Sequence, residues 1–131
     1  MVEYEICAIL NEDYDLAVAK TVKALKEEGF GVLTEINVKE TLKEKLNVDF
    51  ERYLILGACN PPFANKALAI EREIGLLLPC NLIVQELGEG KTKVAAIDPE
   101  MMFEMIENPQ LESIAKEVKI KLQRVINSLP T

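Results

Sequence analysis

The sequence predicts an α+β fold: two layers, with a mixed or antiparallel sheet carrying helices on one face. Three observations predict it. Val2 to Leu10 alternates, with Val2, Tyr4, Ile6, Ala8 and Leu10 on one side and Glu3 and Glu5 on the other, as in a half-buried strand. Tyr53 to Cys59, YLILGAC, is apolar on both alternating faces, as in an interior strand. Leu111, Ile114, Ala115, Val118, Leu122, Val125 and Leu129 fall on one face of a long helix.

The remaining elements follow in chain order. Asn11 offers an N-cap, and Glu12, Asp13 and Asp15 put negative charge on a first helical turn. Leu16, Ala19, Val22 and Leu25 make that helix's expected buried stripe. Gly29 ends it, with Phe30 placed to fold back on the last turn. Gly31 to Asn37 reads as a strand, and Val38 to Leu46 as a short charged helix. Asn60 and Pro61 suit the N-cap and first position of a third helix running to about Gly75, with Pro79 as its limit. Asn81 to Leu87 and Lys91 to Ile97 form a hairpin around Gly88-Glu89-Gly90. Asp98-Pro99 opens a helical turn and Asn108-Pro109 the last helix. The order is β-α-β-α-β-α-β-β-α, within a single domain spanning 1–131.

Composition narrows the chemistry. The 131 residues are 49% hydrophobic and 28% charged, with a formal net charge of −7. An acidic surface repels phosphate backbones, and the pairs Lys43/Lys45 and Lys119/Lys121 lie among glutamates or apolar residues, so no nucleic acid partner is expected. No apolar run is long enough for a bilayer, no membrane partner is expected, and the N-terminus lacks signal-peptide features. A cytoplasmic location is the expectation, with three reduced thiols at Cys7, Cys59 and Cys80. There is no histidine, the commonest general base and metal ligand. Ser113 and Ser128 both sit in a helical pattern, away from any nucleophile turn. Any catalysis would use Cys, Asp, Glu, Lys or Tyr.

The sharpest candidates are Cys59-Asn60, before Pro61-Pro62, and Cys80-Asn81, after Pro79. Cys59 precedes a helix N-terminus, whose dipole favours a thiolate or a bound anion. The plainer reading makes Cys59, Cys80 and Cys7 small hydrophobes in the core. A straight helix between Cys59 and Cys80 would set them at opposite ends of the sheet, so one site within a chain requires Gly75–Pro79 to double back. Their spacing fits no zinc pattern. Met101, Met102, Phe103, Met105 and Ile106 make a short helical stretch, apolar nearly all round, suited to core or contact. Lys66 reads as a solvated side chain, and Gly88-Glu89-Gly90 as a turn rather than a phosphate loop.

Four segments, GFGVLTEINVKETLKEKL, YLILGACNPPFANKAL, GLLLPCNLIVQE and AAIDPEMM, resemble the bacterial and archaeal family called domain of unknown function 302. The family's Asn-Pro and Leu-Pro marks fall on Asn60-Pro61 and Leu78-Pro79, and Cys59 and Cys80 match a cysteine-bearing subgroup. Asn37 stands where the family pattern has Asp. The resemblance implies a small α+β fold similar to TATA-binding-protein-like folds, often homodimeric, with no established activity and no implied DNA binding.

The expected function is that of a cytoplasmic, homodimeric ligand-binding or accessory protein whose site lies at Cys59, Asn60 and Cys80, with helix N–H groups holding an anion. The alternative is a thiol-based redox or soft-metal role for Cys59, with Cys80 joining it across a dimer axis from a partner chain. A third reading has Met101 to Ile106 dock a partner. No cofactor and no metal ligand set is assigned.

Overall fold

The computed structural model describes residues 3–131. Strands β1 (Glu5–Leu10), β2 (Gly31–Asn37), β3 (Tyr53–Cys59), β4 (Cys80–Gly88) and β5 (Lys91–Ile97) form one sheet in the order β1-β5-β4-β3-β2. All neighbours are antiparallel, so the sheet is not mixed. Val2, at the start of the alternating run, lies outside the described residues. Helices α1 (Tyr14–Glu27), α2 (Val38–Leu46), α3 (Pro61–Ile70), α4 (Pro99–Phe103) and α5 (Pro109–Ser128) complete the α+β architecture. No helix among the described residues is long and apolar enough to cross a membrane.

Pairing puts alternate residues on one face. Leu56 lies opposite Leu82, which lies opposite Ala96, and Val84 lies between Leu54 and Val94. These side chains are buried with the apolar face of α5, where Leu111, Ala115, Leu122 and Val125 are fully enclosed. The predicted stripe of α5 is therefore its core face. Pleat alternation leaves Ile36, Ile55, Ile83, Ala95 and Cys7 in register across the opposite face.

Helix α1 differs from expectation in two respects. Its N-cap is Asp13, and Asn11 instead donates from Nδ2 to the Thr131 carbonyl at 3.2 Å. Its buried residues are Tyr14, Ala17, Thr21, Ala24 and Leu25, while Leu16 is 46% exposed. Two polar residues, Thr21 and Tyr14, share the core face. Thr21 Oγ1 donates to the Ala17 carbonyl at 2.7 Å, and the Arg52 guanidinium lies 4.7 Å above the Tyr14 ring. The C-terminus forms as predicted. Gly29 adopts φ +86°, and Phe30 folds back with its N–H on the Leu25 carbonyl at 2.9 Å.

The third helix stops early. Glu71 is extended (φ −140°), and a 3-10 stretch, Arg72–Leu77, replaces the continuation to Gly75. This break turns Ile74 into the core, and the chain returns through a cis Leu78-Pro79 bond to enter β4. Gly57 is required beside that return. A Cβ there would overlap Thr34 Oγ1 and lie 2.8 Å from Pro79 Cγ. Between Val32 and Thr34 the β2–β3 register shifts, a bulge that leaves Leu33 outside the pairing.

Gly57→Ala should destabilise the fold by about 1–3 kcal/mol, the usual cost of overpacking. Urea unfolding should show a lower midpoint at unchanged m-value; an unshifted midpoint would mean that β2 and Pro79 can yield.

Candidate functional site

The chain reversal at Arg72–Leu77 brings Cys59 and Cys80 together. Ala58 lies directly opposite Cys80 in the β3–β4 ladder, so Cys59 is one residue beyond that pair. The expectation that the two cysteines lie at opposite ends of the sheet is thereby overturned. It assumed a straight helix, and the segment between the cysteines does double back.

Both cysteines border a cleft of about 260 Å³. One side is α3, with Phe63, Ala64, Ala67 and Leu68; another is α5, with Ile114 and Val118. Phe30 and Phe103 are buried in its wall, whereas Leu33 is 67% exposed and Leu68 also reaches the surface, forming a rim. The bulge in β2 supplies Leu33, and the Schellman turn after α1 supplies Phe30. Among the described residues, the only polar side chains in the lining are Cys59, Asn60 and Cys80, and no charged side chain lines it. An engineered cavity of about 150 Å³ holds benzene, so this space admits a small ring system with a substituent.

Asn60 occupies the N-cap position of α3, as predicted, but its side chain makes no capping bond. Nδ2 donates instead to the Glu28 carbonyl at the end of α1, at 3.3 Å. Pro61 and Pro62 have no N–H, and the Ala64 N–H is committed to the Asn60 carbonyl at 3.0 Å. Of the four N–H groups a helix start normally leaves free, only those of Asn60 and Phe63 remain. The expected anion cradle therefore loses two of its four donors to the same prolines that mark the helix start.

Burial pushes the Cys80 thiol up to about 11, and the neighbouring Cys59 adds to the shift. Removing Cys80 from water disfavours its thiolate, so it carries a proton at neutral pH. Cys7, by contrast, lies on the opposite sheet face, in line with Ala95. Among the described residues no group of three or more Cys, Asp or Glu side chains is arranged to hold a metal. Of the other candidates, Phe103 joins the cleft wall, while Met105 is 70% exposed and Met101 partly so. Lys66 lies 5.5 Å from the Phe63 ring centroid, outside the lining.

Sequence reasoning missed Phe30, Leu33, Phe63 and Val118 as site residues. Each reads as ordinary core, and Leu33 enters only through a bulge created by cross-strand pairing. The Phe30 fold-back was a usable signal, because it directed a large ring towards the helix start at Asn60.

Fold and cleft together define a small α+β protein with an apolar recess at the end of an antiparallel sheet. The chain belongs to the DUF302 family, domain of unknown function DUF302, which it matches over residues 7–129. It is similar to the crystal structure of an uncharacterized conserved DUF302 protein from Bacillus stearothermophilus, with 31% identity and a TM-score of 0.88. That match covers 96% of this chain and 98% of the other. No curated protein matches it.

The raised Cys80 value fixes a pH dependence. A thiol whose folded pKa exceeds its unfolded value of 9.0 contributes stability below that value and loses it as pH rises. Stability should therefore fall by about 2–3 kcal/mol between pH 9 and about 11. Chemical denaturation across this range should show a shallower decline in Cys80→Ala; an identical slope would locate the loss elsewhere.

Proposed function

We propose that this chain is a single-domain, homodimeric binding or accessory protein that takes a small, neutral, apolar ligand into the cleft beside Cys59, Asn60 and Cys80. The observation that carries this reading is the cleft itself: about 260 Å³, with aromatic and aliphatic walls and an open rim. Binding pockets are typically apolar recesses with a few convergent polar groups, beginning near about 300 Å³ for larger ligands. The ligand enters between Leu33 and Leu68 and packs on Phe30, Phe63 and Phe103. Three free cysteines suit a reducing, cytoplasmic setting.

Naphthalene is a suitable first probe, because it is neutral, apolar and fluorescent. Wild-type protein should bind it saturably. Ala67→Leu, which adds volume to the buried wall, should weaken binding by about tenfold or more while leaving the circular dichroism spectrum unchanged. Equal binding by both proteins would remove the cleft from consideration.

The homodimer rests on the open sheet face. Ile36, Ile55 and Ile83 form an apolar row there, with Ile36 48% exposed and Ile9 beside the row 52% exposed. A second copy would withdraw that surface from water. Sedimentation should give twice the 14.7 kDa chain mass. Ile83→Lys should yield a monomer of unchanged secondary structure; a dimer that survives this substitution would point to another surface.

A second reading, thiol-based redox or soft-metal handling, is favoured by the adjacency of Cys59 and Cys80 at one cleft. Protein purified anaerobically without chelators should then carry copper or zinc in native mass spectra, lost in Cys59→Ser. Bare protein with three free thiols would turn attention back to apolar ligands.

A further inference from the structure

Asn60 is 8% exposed and lines the cleft, yet half of its amide is unused. Its Nδ2 donates to the Glu28 carbonyl, and a carbonyl can only accept, so the amide has one allowed orientation. Gly29 permits this close approach. A Cβ at that position would lie 3.2 Å from Nδ2, on a backbone already at φ +86°. The oxygen, Oδ1, accepts no hydrogen bond from the described residues: Pro62 has no N–H to offer it, and the Phe63 N–H makes no bond to it. No side-chain nitrogen or oxygen among the described residues is both sealed from solvent and unpartnered, so Oδ1 remains reachable.

We infer that the cleft selects ligands bearing one neutral hydrogen-bond donor, an alcohol or phenol hydroxyl, which Asn60 Oδ1 accepts while the apolar body packs among Phe30, Phe63 and Phe103. This rests on the ligand-binding reading above and specifies its ligand class. A carboxylate is disfavoured. The lining contains no cation, α3 begins with two prolines, and an unpaired charge would lose its hydration. A pure hydrocarbon fits the walls but leaves Oδ1 without a partner whenever it displaces water, which is unfavourable for a polar atom in an apolar recess. Cys80 supports the same selection, because its protonated thiol puts no negative charge beside the oxygen at neutral pH.

The test compares para-propylphenol, para-propyltoluene and para-propylbenzoate by calorimetry at neutral pH, on wild-type protein and on Asn60→Leu. The phenol-to-toluene affinity ratio should be about fivefold to tenfold higher in wild type than in the variant, the factor that one hydrogen bond supplies. Wild-type protein should bind the benzoate more weakly than the phenol. Asn60→Leu also removes the donor to Glu28, so a second measurement needs no variant: the Asn60 carboxamide carbon resonance of wild type should shift with the phenol and not with the toluene. If both neutral probes bind with equal ratios and that resonance does not respond, the donor selection is wrong and the apolar cleft stands. Tighter binding of the benzoate would overturn the selection in favour of a cation near the rim, such as Lys66. Failure of wild type to bind any of the three would overturn the ligand-binding reading itself.

Discussion

The missing side chain at Gly57 governs the architecture of the sheet end. Strand β3 must pass under Thr34 of β2 while Pro79 packs on it from the approach to β4, and only a hydrogen at Cα leaves room for both. With the Thr34 and Pro79 side chains packed on Gly57, Cys80 lies opposite Ala58 and the β4 register is set. A slip by one residue would turn Leu82 and Val84 out of the core and Ile83 into it. The bulge in β2, the return of the chain after α3 and the two adjacent cysteines are thus parts of one packing arrangement.

That arrangement explains why the recess is apolar and uncharged. Proline occupies the first two positions of α3, where a phosphate or carboxylate would otherwise find amide donors. The Asn60 side chain, which often closes such a helix start, is drawn towards the end of α1. The helix termini of α1 and α3 are consequently linked to each other, and the cleft between them is lined by carbon surface, two cysteines and Asn60. In the binding role proposed above, such a wall would select for shape and hydrophobicity first, with Asn60 as its polar element.

Much of the fold was legible in the residues. Alternation identified the strands, the double apolar run YLILGAC identified the sheet interior, and the Leu111-to-Leu129 spacing identified the core face of α5. Gly29-Phe30 marked a helix end with its fold-back contact. Legibility ended where geometry depends on partners distant in sequence. Nothing local to Leu33 announces a bulge, because the bulge is a property of its pairing with β3. Ile70 to Leu77 retains helical composition, and only the need to bury Ile74 and reach the sheet interrupts it. Asn60 has the residue type of a cap and the position of a cap. Its actual hydrogen bond depends on where the Glu28 carbonyl comes to rest. The opposite placement of Cys59 and Cys80 was the logical outcome of a continuous helix, and failed with it.

The strand order also has a temporal meaning. Strands β2 to β5 are neighbours in sequence order, so each can pair with the strand made just before it. Strand β1 cannot: Glu5 pairs with Ile97, at the far end of β5. During synthesis the first strand therefore waits, with its backbone groups unpaired, until nearly the whole sheet has emerged. Closing that long loop is the entropically demanding step of assembly. Nascent chains have an incentive to keep this segment from pairing elsewhere, and Glu5 at its start and its short length serve that purpose at an edge.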